Sequence, residues 1–189
     1  MIRNTRSAYG SVAIALHWTI ATLIIGMLGF GLYMVTLPIF EPSTYTLYQL
    51  HKSIGFVILT LVTLRLLWKL SGATPTLPAE MPWWEQAAAH LGHLSLYALM
   101  VLMPLTGWFL VSTSPLGLPT VFFNLFQIPH LPTFEFLGQK ADVSAFFTEV
   151  HGWAAYAFIA VIAAHVGAAL KHHFISKDKV LQRMLSSKP

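Results

Sequence analysis

The sequence predicts an all-α integral membrane protein built as a four-helix bundle. Two observations carry this class. Hydrophobic residues make up 56% of the 189 residues and charged residues only 10%, whereas a soluble domain carries about 25% charged residues. Too few polar side chains remain to cover a surface that faces water. The apolar residues also fall into four long runs, each reaching the roughly 20 residues that cross about 30 Å of hydrocarbon as a helix. The runs are too long for strands and do not alternate.

These runs set the elements in order, within one domain over residues 1–189. Helices are expected at about 11–35, 48–70, 86–111 and 149–171. The first follows Arg3 and Arg6 in the manner of a signal peptide. It is longer than the about 7–15 apolar residues of such a peptide and lacks a small-residue cleavage motif, so it is expected to be retained. The connection 37–47 contains Pro38 and Pro42. The connection 71–85 is rich in proline and ends in Trp83 and Trp84, residues suited to a membrane interface. The third, 112–148, holds four prolines and the patch VFFNLF; a connection so long and apolar is expected to pack over something.

Charge orients the chain. Arg3, Arg6, Arg65, Lys69, Lys171, Lys177, Lys179, Arg183 and Lys188 fall on the side shared by the termini, and only Lys52 and Lys140 on the other. This asymmetry predicts cytoplasmic termini. It also accounts for the net charge of +4, so no nucleic-acid partner is expected. The absence of cysteine excludes disulfides, thiolate-held iron–sulfur clusters and a covalent C-x-x-C-H haem.

Nine histidines are many for so apolar a chain. His17 falls early in helix 1, His51 early in helix 2 and His151 early in helix 4. His165 follows His151 by fourteen residues, about 21 Å along the axis and almost four full turns, so the two share a face. By depth the four form two pairs, His51 with His151 and His17 with His165. Polar groups in hydrocarbon need partners and usually mark function. Two imidazoles converging from different helices suit a six-coordinate haem held between the helices of a bundle. Two levels predict two haems b stacked across the bilayer, with the apolar stretch HGWAAYAFIAVIAAH as the spacer between them.

The plainer alternatives are hydrogen-bonded interhelical histidines, or a zinc site, for which the helix interiors offer no carboxylates. Gly26, Gly29, Gly31, Gly55 and Gly107 would admit a flat macrocycle, or would serve ordinary close helix packing. Arg65 lies fourteen residues after His51 and reaches the inner level, where it could pair with a haem propionate or snorkel to the interface. His90 and His93 could replace an inner ligand or serve a quinone, and His172 is a further quinone-site candidate with His173 at the interface. His130 falls in the long connection and is expected to be structural.

With these residues placed, the chain resembles the bacterial cytochrome b561 family, related to the di-haem b subunits of nickel hydrogenases and formate dehydrogenases. The matching pieces are ALHW around His17, QLHKSIG around His51, the following LRLLWK, HLGHLSLY in helix 3, HGW and AAH in helix 4, and the terminal ALKHHFISKDKVLQRM. The resemblance implies that His17, His51, His151 and His165 are the axial ligands of two non-covalent haems b. It implies a multi-pass protein of the bacterial inner membrane that exchanges electrons with the quinone pool, ubiquinone or another. One branch of the family resembles a superoxide oxidase that passes electrons to ubiquinone.

The leading expectation is therefore a di-haem electron carrier linking the quinone pool to the outer side, or to a periplasmic redox partner. A quinone is expected near the inner haem, with Lys69, Lys171, His93 and His172 at hand. In the sharper version, superoxide is drawn by Lys52 beside His51. The rivals are a non-catalytic haem-bearing anchor for a peripheral dehydrogenase and a His-based transporter.

Overall fold

Proline and hydropathy mark the helix boundaries of the structure, a computed structural model that describes residues 1–38, 41–78, 80–132 and 138–186. Helix α1 spans Ser11–Met34, α2 Pro42–Leu70, α3 Trp83–Thr113 and α4 Lys140–Lys171. All four are long and apolar enough to cross a membrane, and about 70% of the described residues are helical. Between 6% and 17% of each apolar stretch is buried against the rest of the protein. Ile25, Leu64, Leu67, Leu91, Leu94, Leu102 and Val166 point outward, a surface for lipid rather than water. The all-α membrane class holds. Lys188 lies outside the described residues.

Three helices start earlier than hydropathy predicts, α3 at Trp83 by three residues and α2 and α4 by more. Helix α2 opens at Pro42, where a missing N–H costs nothing because the first turn has no intrahelical acceptor. Helix α4 opens at Lys140, through a turn too polar to register as part of a membrane run. Proline 104 sits inside α3; its ring removes one ladder hydrogen bond, which membrane helices tolerate when neighbours satisfy the freed group. After α4 the chain makes one π-helical turn, His172–Ser176, closed by Lys177 at φ 55°, and ends in the short helix α5, Gln182–Leu185.

The long connection is not irregular throughout. Strands β1 (Thr120–Phe122) and β2 (Phe126–Ile128) form an antiparallel hairpin in which Thr120 faces Ile128 and Phe122 faces Phe126. Sequence periodicity misses it because each strand has only three residues.

The chain divides into two compact units. One comprises Met1–Thr22, Leu61–Ala98 and Phe158–Pro189; the other comprises Leu23–Thr60 and Leu99–Ala157. Each takes part of all four long helices. The first unit buries Ala8, Ile20, Val62 and Met81. The second buries Ile24, Ile58 and Met100 together with small polar residues such as Ser53, Thr106, Ser112 and Thr113. Small and hydroxyl-bearing residues suit packing in lipid, where close backbone approach and side-chain hydrogen bonds replace the hydrophobic drive.

Candidate functional site

Each unit brings one of the two expected imidazole pairs together. In the unit containing Leu23–Thr60, the rings of His51 (α2) and His151 (α4) have centroids 6.4 Å apart. In the other unit, His17 (α1) and His165 (α4) are 6.3 Å apart. A metal–imidazole bond of about 2 Å, plus about 1.1 Å from nitrogen to ring centre, gives about 6.2 Å between two rings sharing one metal. Both pairs meet that span. Among the described residues no group of three or more His, Cys, Asp or Glu is arranged to hold a metal ion. Two imidazoles alone fit a macrocycle that brings its own equatorial nitrogens, and do not fit tetrahedral zinc.

The surroundings of the rings test the same fit. Thr106 Oγ1 donates to the Met103 carbonyl at 2.9 Å and lies 3.0 Å from His151 Nδ1. A hydroxyl that donates to Met103 accepts from His151 Nδ1–H, and in that arrangement the proton of His151 is on Nδ1. The Nε2 lone pair is then free for iron, as a ligating imidazole requires. Glycines pack against both rings of this pair: a Cβ on Gly31 would meet His51 Cε1 at 3.4 Å, and one on Gly107 would meet His151 Cε1 at 3.2 Å. Gly26, Gly29 and Gly55 leave room, since a Cβ there would meet nothing within 4 Å. The ring of Phe30 lies 5.9 Å from His51, and His51 Nδ1 is buried without a partner among the described residues.

The second pair has a more polar setting. An Arg65 guanidinium nitrogen lies 3.0 Å from His17 Nδ1, and Arg65 Nε donates to the Tyr97 hydroxyl at 3.3 Å. A guanidinium only donates, so in this arrangement His17 Nδ1 is the acceptor. Ligation through Nε2 needs the opposite tautomer, and Arg65 must then release Nδ1 for another acceptor. Lys69 Nζ sits 4.4 Å from the centroid of the Tyr97 ring, and His93 is 5.5 Å from His165. Tyr9 lies near the same group, and burial raises its phenol pKa, with the charge of Tyr97 adding to that.

At the end of α4 a third cluster forms in the same unit. Lys171 donates to Glu85 at 2.6 Å; His172 Nδ1 donates to Asp178 at 2.5 Å and its Nε2 lies 3.6 Å from Glu85. Lys171 is therefore an ion-paired residue, not the free cation expected for a quinone.

Several expectations change in detail. Lys52 is not a free outer cation: its ammonium donates to the Pro119 carbonyl at 3.0 Å and is partly buried. His90 Nδ1 donates to the Gln86 carbonyl of its own helix, which satisfies it without a ligand. His130 Nε2 is buried without a partner among the described residues. Sequence reading missed Thr106, Tyr97, Glu85 and Asp178. The spacing of His93 and Tyr97, one turn apart on α3, would have marked Tyr97. The other three needed the fold.

Comparison with known proteins identifies the family. The family described as prokaryotic cytochrome b561 matches residues 8–187. Cytochrome b561 homolog 2 of Escherichia coli (strain K12) is 37% identical over 183 residues, covering 96% of this chain and 93% of its own. Cytochrome b561 homolog 1 of the same organism is 32% identical over 76% of this chain and 77% of its own. A Yersinia pestis protein named probable superoxide oxidase CybB is 29% identical over 95% and 97%. A match over nearly the whole chain, on a helical scaffold that pairs its histidines across helices, makes this protein a member of the prokaryotic cytochrome b561 family.

Proposed function

We propose that this membrane electron-transfer cytochrome carries two haems b, one between His51 and His151 and one between His17 and His165, and exchanges electrons with a membrane quinone. The observation that supports it is the pair of imidazole separations, 6.4 and 6.3 Å. Haem bound there would supply one-electron chemistry, with one imidazole from each of two helices to hold it.

The chain's own groups do the rest. Thr106 holds His151 in its ligating tautomer. Arg65, 3.0 Å from His17, places a permanent positive charge beside the second pair and would pair with a haem propionate there. Lys69, His93 and His172 form the quinone side: a cation to favour the reduced, anionic oxygen, and imidazoles to hand over protons. The charge bias of the sequence supports a position for this group, with both termini, at the cytoplasmic face of the bacterial inner membrane. A pyridine haemochrome assay with a reduced-minus-oxidised spectrum should give two low-spin haems b per chain; a fully loaded preparation with one would refute the reading.

A second reading follows from the Yersinia pestis relative, whose name is probable superoxide oxidase. Two superoxide anions would each lose one electron and leave dioxygen; those electrons, with two protons, would convert ubiquinone to ubiquinol. Lys52 still contributes positive charge beside His51 while it holds Pro119. Haem reduction by superoxide in stopped flow, slowed by salt because charge steering is screened over about 10 Å at 0.1 M, separates this activity from a plain carrier.

A further inference from the structure

The hairpin of the long connection has its backbone held by side chains of α2. The Gln49 amide donates to the Pro119 carbonyl at 2.8 Å and accepts from Val121 N–H at 3.0 Å. Lys52 adds a second donor to Pro119, and Ser53 Oγ accepts from Phe123 N–H at 3.0 Å. The chain beyond β2 is held in the same way by α3: Trp108 Nε1 donates to the Pro129 carbonyl at 3.1 Å, and Ser112 Oγ accepts from Leu131 N–H at 2.9 Å. Leu125 is 76% and Phe126 57% exposed, and Leu116, Leu118 and Phe123 of the same connection are exposed as well. The turn itself places Phe123 and Asn124 at positive φ, 45° and 60°, and presents Leu125 at its tip.

We infer that this hairpin is an interfacial wedge whose Leu125–Phe126 edge is submerged in the lipid leaflet at the Lys52 end of α2. Depth is the first reason. Seventeen residues separate Lys52 from Lys69, about 25 Å of helix, close to the about 30 Å hydrocarbon thickness. Gln49, Lys52 and Ser53 thus sit at the hydrocarbon boundary, and the backbone they grip sits there too. Satisfaction is the second. A water-facing loop leaves its carbonyls and amides to solvent, whereas non-helical backbone at membrane depth must find protein partners. Five side chains supply such partners here. Composition is the third: no Asp, Glu, Lys or Arg occurs between Glu85 and Glu135, while a surface for a soluble partner carries a polar rim. Aromatic and aliphatic residues on an uncharged hairpin match the interfacial belt of a membrane.

The test uses the absence of cysteine in the chain. Leu125→Cys and, separately, Phe126→Cys carry an environment-sensitive fluorophore in the haem-loaded protein in phosphatidylcholine–phosphatidylglycerol nanodiscs. A label at Asp142→Cys, in the exposed first turn of α4, is the water-facing reference, and an unchanged haem spectrum certifies each protein. Quenching by lipid-borne spin labels is compared with quenching by iodide. The lipid-to-iodide ratio should be several-fold higher at both hairpin positions than at Asp142, with blue-shifted emission. A ratio at both hairpin positions equal to or below the reference overturns the inference and makes the tip a water-facing surface for a soluble partner.

Discussion

A single methyl group at Gly107 tests how tightly α3 holds the His151 ring. An alanine Cβ there would lie 3.2 Å from His151 Cε1 and 3.6 Å from Nδ1. Carbon atoms rest at about 3.5–4.0 Å, so the ring must retreat by roughly 0.3–0.8 Å. It cannot do so freely, because Thr106, the neighbouring residue of the same helix, fixes Nδ1 at 3.0 Å. Overpacking of this kind costs about 1–3 kcal/mol; one methyl against one ring edge belongs near the lower end, and about 1–2 kcal/mol is a factor of about 5–30. Gly107→Ala should therefore hold the His51–His151 haem about 5- to 30-fold more weakly and leave the other unchanged. Haem loss to excess apomyoglobin, resolved by a redox titration of what remains, measures it. Gly31→Ala is the internal control, since its Cβ would meet His51 Cε1 at 3.4 Å, close to ordinary contact. Alanine also improves helix propensity by up to about 1 kcal/mol over glycine, so a weakened haem cannot be blamed on the helix. Equal retention in Gly107→Ala and the parent, or equal damage from Gly31→Ala, would refute the reasoning.

Two further outcomes follow from the groups around the rings. Removing the positive charge with Arg65→Leu should lower the midpoint potential of the His17–His165 haem, because a nearby cation disfavours the oxidised, more positive centre; the effect is at most a few kcal/mol, and a potentiometric titration that moves neither haem would leave Arg65 an interfacial residue. Thr106→Val removes the acceptor from His151 Nδ1–H, weakens the electron donation of that imidazole and should raise the potential of the His51–His151 haem, with Thr106→Ser restoring it; no shift in the valine variant would remove Thr106 from the ligand's support.

Much of this arrangement was legible in the sequence, for a physical reason. A membrane helix must be long and apolar, so hydropathy locates it, and depth along it is a matter of counting residues. His17, His51, His151 and His165 could thus be sorted into pairs before any fold was known, and the structure places those same rings together. Helix ends were less legible. Pro42 and Lys140 begin helices in polar turns that hydropathy does not register. The environment of each ring was hardest to read. Thr106 and Gly107 have meaning only because α3 packs against His151, and Glu85 meets Lys171 from 86 residues away. Lys52 illustrates the limit: its position beside His51 predicts a free cation, and only the fold shows the Pro119 carbonyl that it holds.

The proposed pairing is tested most directly by replacing each of the four proposed ligands singly and following the two expected haem components through a redox titration of the reduced-minus-oxidised spectrum. His51→Ala and His151→Ala should erase one and the same component and spare most of the other. His17→Ala and His165→Ala should erase the other. Loss of the same component in His17→Ala and His51→Ala, or two intact six-coordinate haems in any of the four, would contradict the account.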